Sequence, residues 1–152
     1  MRIRALIFLL LLVASAATGF THHSFAAYYD MQRPVSVTGT IVEVDWVDPA
    51  VFVHLKAEDK ATGKITTWAF EAESHKYLEK AFGLSKEMLK EGSTITIVGY
   101  STRRGADVSD TVANPELAAR VRAETQAAIV QFEFADGKKI PIMNFVPEIP
   151  KQ

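Results

Sequence analysis

The residue types best suited to hold a ligand lie near the start of the chain. His22 and His23 are adjacent. Neutral imidazoles bind copper or zinc, and Asp30 or His54 could complete the ligand set. Neighbouring side chains in an extended segment point to opposite sides. One histidine could therefore ligate while the other packs, and a structural strap with His23 and Phe25 docked on the domain explains the same residues. His54 falls on a strand face read as outward, and His75 reads as a polar residue in a first helical turn. Ser24 beside His23 has the types of a nucleophile and a base, but no Gly-x-Ser-x-Gly elbow is present to aim them. The acids Asp45, Asp48, Glu71 and Glu73 fall at strand ends, where a barrel mouth could gather them. Acid–base work would need a defined separation and shifted pKa values, and turn formation and solubility explain these acids as well. With no catalytic constellation assembled, the chain reads as a binding protein rather than an enzyme.

A second group offers surface instead of ligands. Phe52, with Tyr100 if it points outward, could form an aromatic platform, and Arg103 and Arg104 would supply charge from a nearby loop. These four are the candidate ligand- or partner-binding residues. The alternative is that the aromatics, with Trp46, Trp68 and Phe70, fill a small barrel while the arginines, like Lys138 and Lys139, solvate turns.

The elements that would position these groups are strands. Val35 to Trp46 is a long strand whose apolar parity changes near Gly39, the pattern of a bulge or sharp bend. Asp48-Pro49 turns the chain, and Val51, Val53 and Leu55 then alternate with Phe52, His54 and Lys56. After a Thr62-Gly63 hairpin, Ile65 to Glu71 puts Trp68 and Phe70 on one core-facing side. Tyr77, Leu78, Ala81 and Phe82 recur at helical spacing, followed by a strand from Ser93 to Tyr100. Asn114-Pro115-Glu116 is a strong helix start, predicting a helix to about Gln126 and a fifth strand from Ala128 to Phe134. Asp136-Gly137 turns into a last strand, Lys139 to Asn144. The expected fold is mainly β: a five- to six-stranded OB-like Greek-key barrel with a helix between strands 3 and 4 and an extra helix before strand 5. An open sandwich or another small barrel would share this element order.

Arg2 and Arg4 precede an unbroken apolar run, Ala5 to Ala14, and small residues follow. This reads as a secretory signal, too short for a permanent span. The predicted organisation is a signal peptide over residues 1–19, cleaved between about 16 and 20, a strap over 20–33, the barrel over 34–146 and a tail over 147–152. The protein is expected in the periplasm without a stable membrane anchor, held by packing alone because it has no cysteine. The formal net charge is −1, and loss of Arg2 and Arg4 with the leader brings it to −3. A mildly acidic chain without a basic run argues against a nucleic-acid partner.

The sequence resembles a bacterial family of exported domains of uncharacterised function whose mature chains open with His-His-Ser-Phe. The matching residues are His22-His23-Ser24-Phe25-Ala26-Ala27, Tyr29-Asp30, Pro34-Val35, Val37-Thr38-Gly39-Thr40-Ile41, Val44 with Trp46, Asp48-Pro49 and Trp68-Ala69-Phe70-Glu71. Leu89-Lys90-Glu91-Gly92, Ile97-Val98-Gly99-Tyr100 and Asp136-Gly137-Lys138 extend it over most of the mature chain. The resemblance implies a periplasmic OB-like core and no particular reaction. Relatives commonly carry His directly after the turn proline, where this chain has Ala50, so a metal site of that kind would have to recruit another group such as His54. The stretch from Arg103 to Arg122 is longer than in relatives and adds a helix that could form a partner surface. The functional expectation is a periplasmic, non-enzymatic binding or accessory module for a protein or small ligand, with copper or zinc binding through the histidine pair as the alternative.

Overall fold

Long-range pairing, rather than local propensity, sets the limits of several elements in this chain. The structure, a computed structural model, describes residues 25–149. Six strands, β1 (Tyr29–Asp45), β2 (Phe52–Glu58), β3 (Ile65–Glu71), β4 (Thr94–Thr102), β5 (Thr125–Phe134) and β6 (Lys139–Pro141), carry three helices between and before them. These are α1 (Phe25–Tyr28), α2 (His75–Phe82) and α3 (Pro115–Ala123). Antiparallel ladders join β3 to β2, β2 to β1, β1 to β4 and β4 to β5. A parallel ladder between Trp68–Glu71 and Thr125–Ala128 then joins β3 to β5 and closes a five-strand ring. The mainly β, OB-like class expected from the element order is the observed one. Among the described residues no helix is long and apolar enough to cross a membrane.

Strand alternation gives the ring two faces, and both are covered. Inside lie Val51, just ahead of β2, Val53 and Leu55 of β2, Phe70 of β3, Ile95 and Ile97 of β4, and Ile129 and Phe132 of β5, with Leu78 of α2 against them. A second cluster on the outer face holds Phe52, Ala69, Tyr100, Ala128 and Val130 beneath Leu117 and Val121 of α3 and Val108 of a 3-10 turn, Val108–Thr111. Each fully buried side chain of this size is worth roughly 1.5–3 kcal/mol relative to exposure. Phe52 and His54, read as lying on an open face, are therefore outside the ring but shut off from water.

Two glycines permit the bends. The β1 register slips between Ile41 and Glu43, and at Gly39 a Cβ would stand 2.8 Å from the Lys56 carbonyl oxygen. The β4–β5 register slips next to Gly99, where a Cβ would stand 1.7 Å from the Ala128 oxygen. Only a residue without a Cβ lets β5 cross there.

The helix boundaries follow their caps. Ser74 Oγ accepts the Tyr77 N–H at 3.4 Å, and Gly83, at φ 62°, ends α2 in a left-handed cap. Asn114 Oδ1 accepts the Glu116 and Leu117 N–H groups at 2.9 and 3.1 Å, with Pro115 in the first turn. The helix α3 stops at Ala123, three residues short of the expected Gln126, and β5 starts at Thr125 instead of Ala128. Ring closure needs residues 125–128 extended against β3, so tertiary pairing overrides helix propensity there. Similarly β1 begins at Tyr29, ahead of Val35, because Tyr29 pairs with Thr102 of β4.

Candidate functional site

The sheet-facing stripe of α3 and the residue that caps it is half apolar and half charged. Leu117 and Val121 are buried, while Arg120 and Glu124, at i and i+4, reach down to polar partners on β1 and β2. Glu124 Oε2 lies 2.5 Å from His54 Nδ1, and Asp45 Oδ2 lies 2.9 Å from His54 Nε2. Arg120 binds Asp45 through Nη2 at 2.9 and 3.1 Å and also pairs with Glu43. A carboxylate only accepts, so both contacts are satisfied together when both ring nitrogens carry protons and donate. The His54 side chain is 1 % exposed. Its two nitrogens face different acids, so Asp45, His54 and Glu124 do not converge on a point. Among the described residues no group of three or more histidines and acids is arranged to hold a metal ion.

The remaining candidates fall into separate places. Tyr29 Oη donates to Glu71, joining the start of β1 to the end of β3. Burial pushes the Glu71 carboxyl up, against the pull of the Tyr29 hydrogen bond, and burial with the Glu71 charge pushes the Tyr29 phenol well up. His75 stands between Asp48, at 3.4 Å, and Glu79, at 3.6 Å, and the Trp46 indole donates to Glu79 at 3.0 Å. The Lys76 ammonium beside Asp48 holds that exposed carboxyl below its usual range. Asp45, Glu71 and Asp48 thus sit at three different junctions, with the Glu73 charge near enough to Glu71 to add to the rise of its carboxyl.

A groove of about 610 Å³ opens where β1 begins and β4 ends. Asp30, Arg33, Ser101–Ala106, Thr125 and Gln126 line it. The wall is held from several sides. Arg103 Nε donates to the Ala26 carbonyl of α1 at 2.7 Å, and the Arg103 N–H donates to the Tyr28 carbonyl at 2.8 Å. Phe25 of α1 packs against Tyr29 and Tyr100, with ring centroids 4.9 and 6.1 Å apart. Gln126 is buried and binds the Val108 N–H at 2.9 Å, Asp107 at 2.8 Å and the Val121 carbonyl at 3.1 Å. Burial alone would raise the Asp107 carboxyl, but hydrogen bonds from Ser109, Gln126 and Arg122 outweigh it and hold the group well below the usual range. A second groove, about 660 Å³, lies between Phe82 and the segment from Lys139 to Val146.

Of the residues singled out by type and spacing, Asp30, Arg103 and Arg104 come together in the first groove. Phe52 and Tyr100 do not form an open platform: they are 2 % and 5 % exposed, because α3, Val108 and α1 cover the face that carries them. His54, expected to point outward, is sealed beneath Arg120 and Glu124 for the same reason. His22, His23 and Ser24 lie outside the described residues, as does the N-terminal segment expected to be a signal. Sequence reading passed over Arg33, Glu43, Arg120 and Glu124. The i, i+4 pair on a capped helix was a visible signal for the last two, but nothing local placed β1 and β2 beneath it.

Ring, covering helix and loop-lined groove together define a small, mainly β, OB-like domain. The chain belongs to the family of unknown function DUF6152, whose model matches residues 9–110. That span includes Asp30, Arg33 and Ser101–Ala106 and stops before α3 and β5. No curated protein and no solved structure matches the chain.

Proposed function

We propose that the protein is an exported, non-enzymatic binding or accessory module of the periplasm whose ligand sits in the groove between the start of β1 and the end of β4. The single observation that carries this reading is the groove itself: about 610 Å³, within the range of small-molecule sites, with charged side chains on a wall fixed by α1 and Gln126. The connection after β4 is one of the loops through which OB-like barrels bind, a fold-level analogy that supports the choice. The other surface such barrels use, the outer face of strands 2 and 3, is covered here by α3. Export rests on the Arg2/Arg4 leader and its apolar run. Protein recovered from a periplasmic fraction should begin between about residues 17 and 21 by intact mass; a full-length mass in the cytosol would overturn that part. For the groove, amide chemical shifts of the mature protein are followed against a small-molecule library. Binders that move Arg103–Ala106 and Thr125 support the reading, and binders that move only other surfaces overturn it.

Copper or zinc binding is the second reading. It is favoured by the position of Phe25, which docks beside the groove holding Asp30 and directly follows His22-His23-Ser24. His54 is engaged at both ring nitrogens, so the set reduces to His22, His23 and Asp30. Stoichiometric copper(II) or zinc that disappears in the H22A/H23A variant supports this reading; metal uptake unchanged in that variant refutes it.

A further inference from the structure

Charge balance among the arginines separates the groove from the rest of the molecule. Five arginines are described. The two on α3 are each paired with two acids: Arg120 with Glu43 and Asp45, and Arg122 with Asp107 and Asp110. The other three, Arg33, Arg103 and Arg104, all line the groove, and none has a carboxylate partner among the described residues. Two of them are anchored through one nitrogen to backbone carbonyls, Arg103 Nε to Ala26 at 2.7 Å and Arg33 Nη1 to Thr102 at 3.4 Å. Such anchoring orients a guanidinium without neutralising it. Asp30 is the one acid of the lining, so the groove carries a surplus of two positive charges in a chain whose net charge is −1. Guanidinium forks match the paired oxygens of carboxylates and phosphates.

We infer that the groove takes a small oxyanion carrying two negative charges, a phosphate or a dicarboxylate, held by the guanidinium groups of Arg33, Arg103 and Arg104. The inference rests on the reading of this groove as the binding site and adds the chemical class of its ligand. The terminal nitrogens of Arg103 face no carboxylate among the described residues, and Arg104 lies on an exposed turn closed by Gly105 at φ 81°. Ser101, Thr102 and Thr125 add uncharged polar residues to the same wall. Asp30 sets the charge of the groove at two, which favours a dianion over larger polyanions.

The test titrates inorganic phosphate, succinate and uncharged glycerol into the mature protein at low salt and follows amide shifts. R33Q, R104Q and the double variant are run in parallel, with Arg103 left intact because it also holds α1. The expected result is saturable binding of phosphate or succinate with shifts confined to the groove. Affinity should fall at least about tenfold in R104Q, further in the double variant, and with added salt, while thermal stability stays unchanged. The stronger of the two anions identifies which source of the charge the site reads. Glycerol shifting groove amides while both anions are silent would overturn the oxyanion class and leave the groove as a site. Shifts from all three probes that avoid the groove would overturn both. Anion binding that survives undiminished in the double variant would also overturn the inference.

Discussion

His54 shows how a side chain that resembles a metal ligand becomes structural. Its ring lies between Asp45 and Glu124, at 2.9 and 2.5 Å, with Arg120 behind Asp45. Replacing it with Phe keeps an aromatic ring but removes both polar nitrogens, leaving Asp45 and Glu124 against an apolar ring. The expected cost is about 3 kcal/mol in urea denaturation; a loss below about 1 kcal/mol would mean the cluster behaves like exposed ion pairs. Glu71 gives a pH test. Burial raises its carboxyl in the folded state, so the native protein binds that proton more tightly than the unfolded chain. Its contribution is present in full below the ordinary glutamate range and is lost as pH rises through the raised folded value. Stability of the wild type should therefore decline from about pH 4 upward by an amount that E71Q removes, measured as denaturation midpoints across that range. Asp107 has the opposite sign. Its lowered carboxyl stabilises the fold above the ordinary aspartate range and loses that effect as pH falls. D107N should flatten the acid side of the curve.

Helix α3 and the β4–β5 crossing carry the next two expectations. Leu117 is 5 % exposed and packs over Phe52 and Ala128 with Val121. Leu117→Ala should cost about 2–3 kcal/mol and increase amide exchange along α3, while the inner cluster around Phe70 and Ile97 keeps its protection. Equal loss of protection in both clusters would show that the helix is part of the ring's cooperative unit. At Gly99 a methyl group would meet the Ala128 oxygen at 1.7 Å, a backbone clash that only separation of β4 from β5 relieves. Gly99→Ala should therefore destabilise by at least about 3 kcal/mol or prevent folding altogether. A variant with wild-type stability would disprove the close approach.

The closed ring sets the behaviour of the domain as a unit. β1 pairs with β4 through its first half and with β2 through its second, and β3 meets β5 in parallel only after the chain has passed through α2, β4 and α3. Contacts so distant along the chain make folding slow, in the millisecond-to-second range typical of small β barrels. Element order, alternation and the two helix starts were legible because each is local: a cap, a proline, a period of two or near four. The class followed from them. The boundaries at Ala123/Thr125 and Tyr29 were not legible, since they depend on strands far away in the chain.

The candidate groove divides the same way. Sequence by itself established a mainly β chain with the OB order, a bend in the first strand, a charged loop after β4 and a helix starting at Asn114-Pro115. It could not say which face of β2 meets water, because alternation distinguishes two faces without telling whether something covers the second. Tertiary structure decided that. Leu117 and Val121 bury Phe52, Glu124 pairs with His54 while Arg120 holds its other partner Asp45, and Ala26 anchors Arg103 in a groove it shares with Arg33 and Asp30. Residues as far apart as 30 and 126 meet in that groove, and no local spacing encodes a meeting that only ring closure brings about.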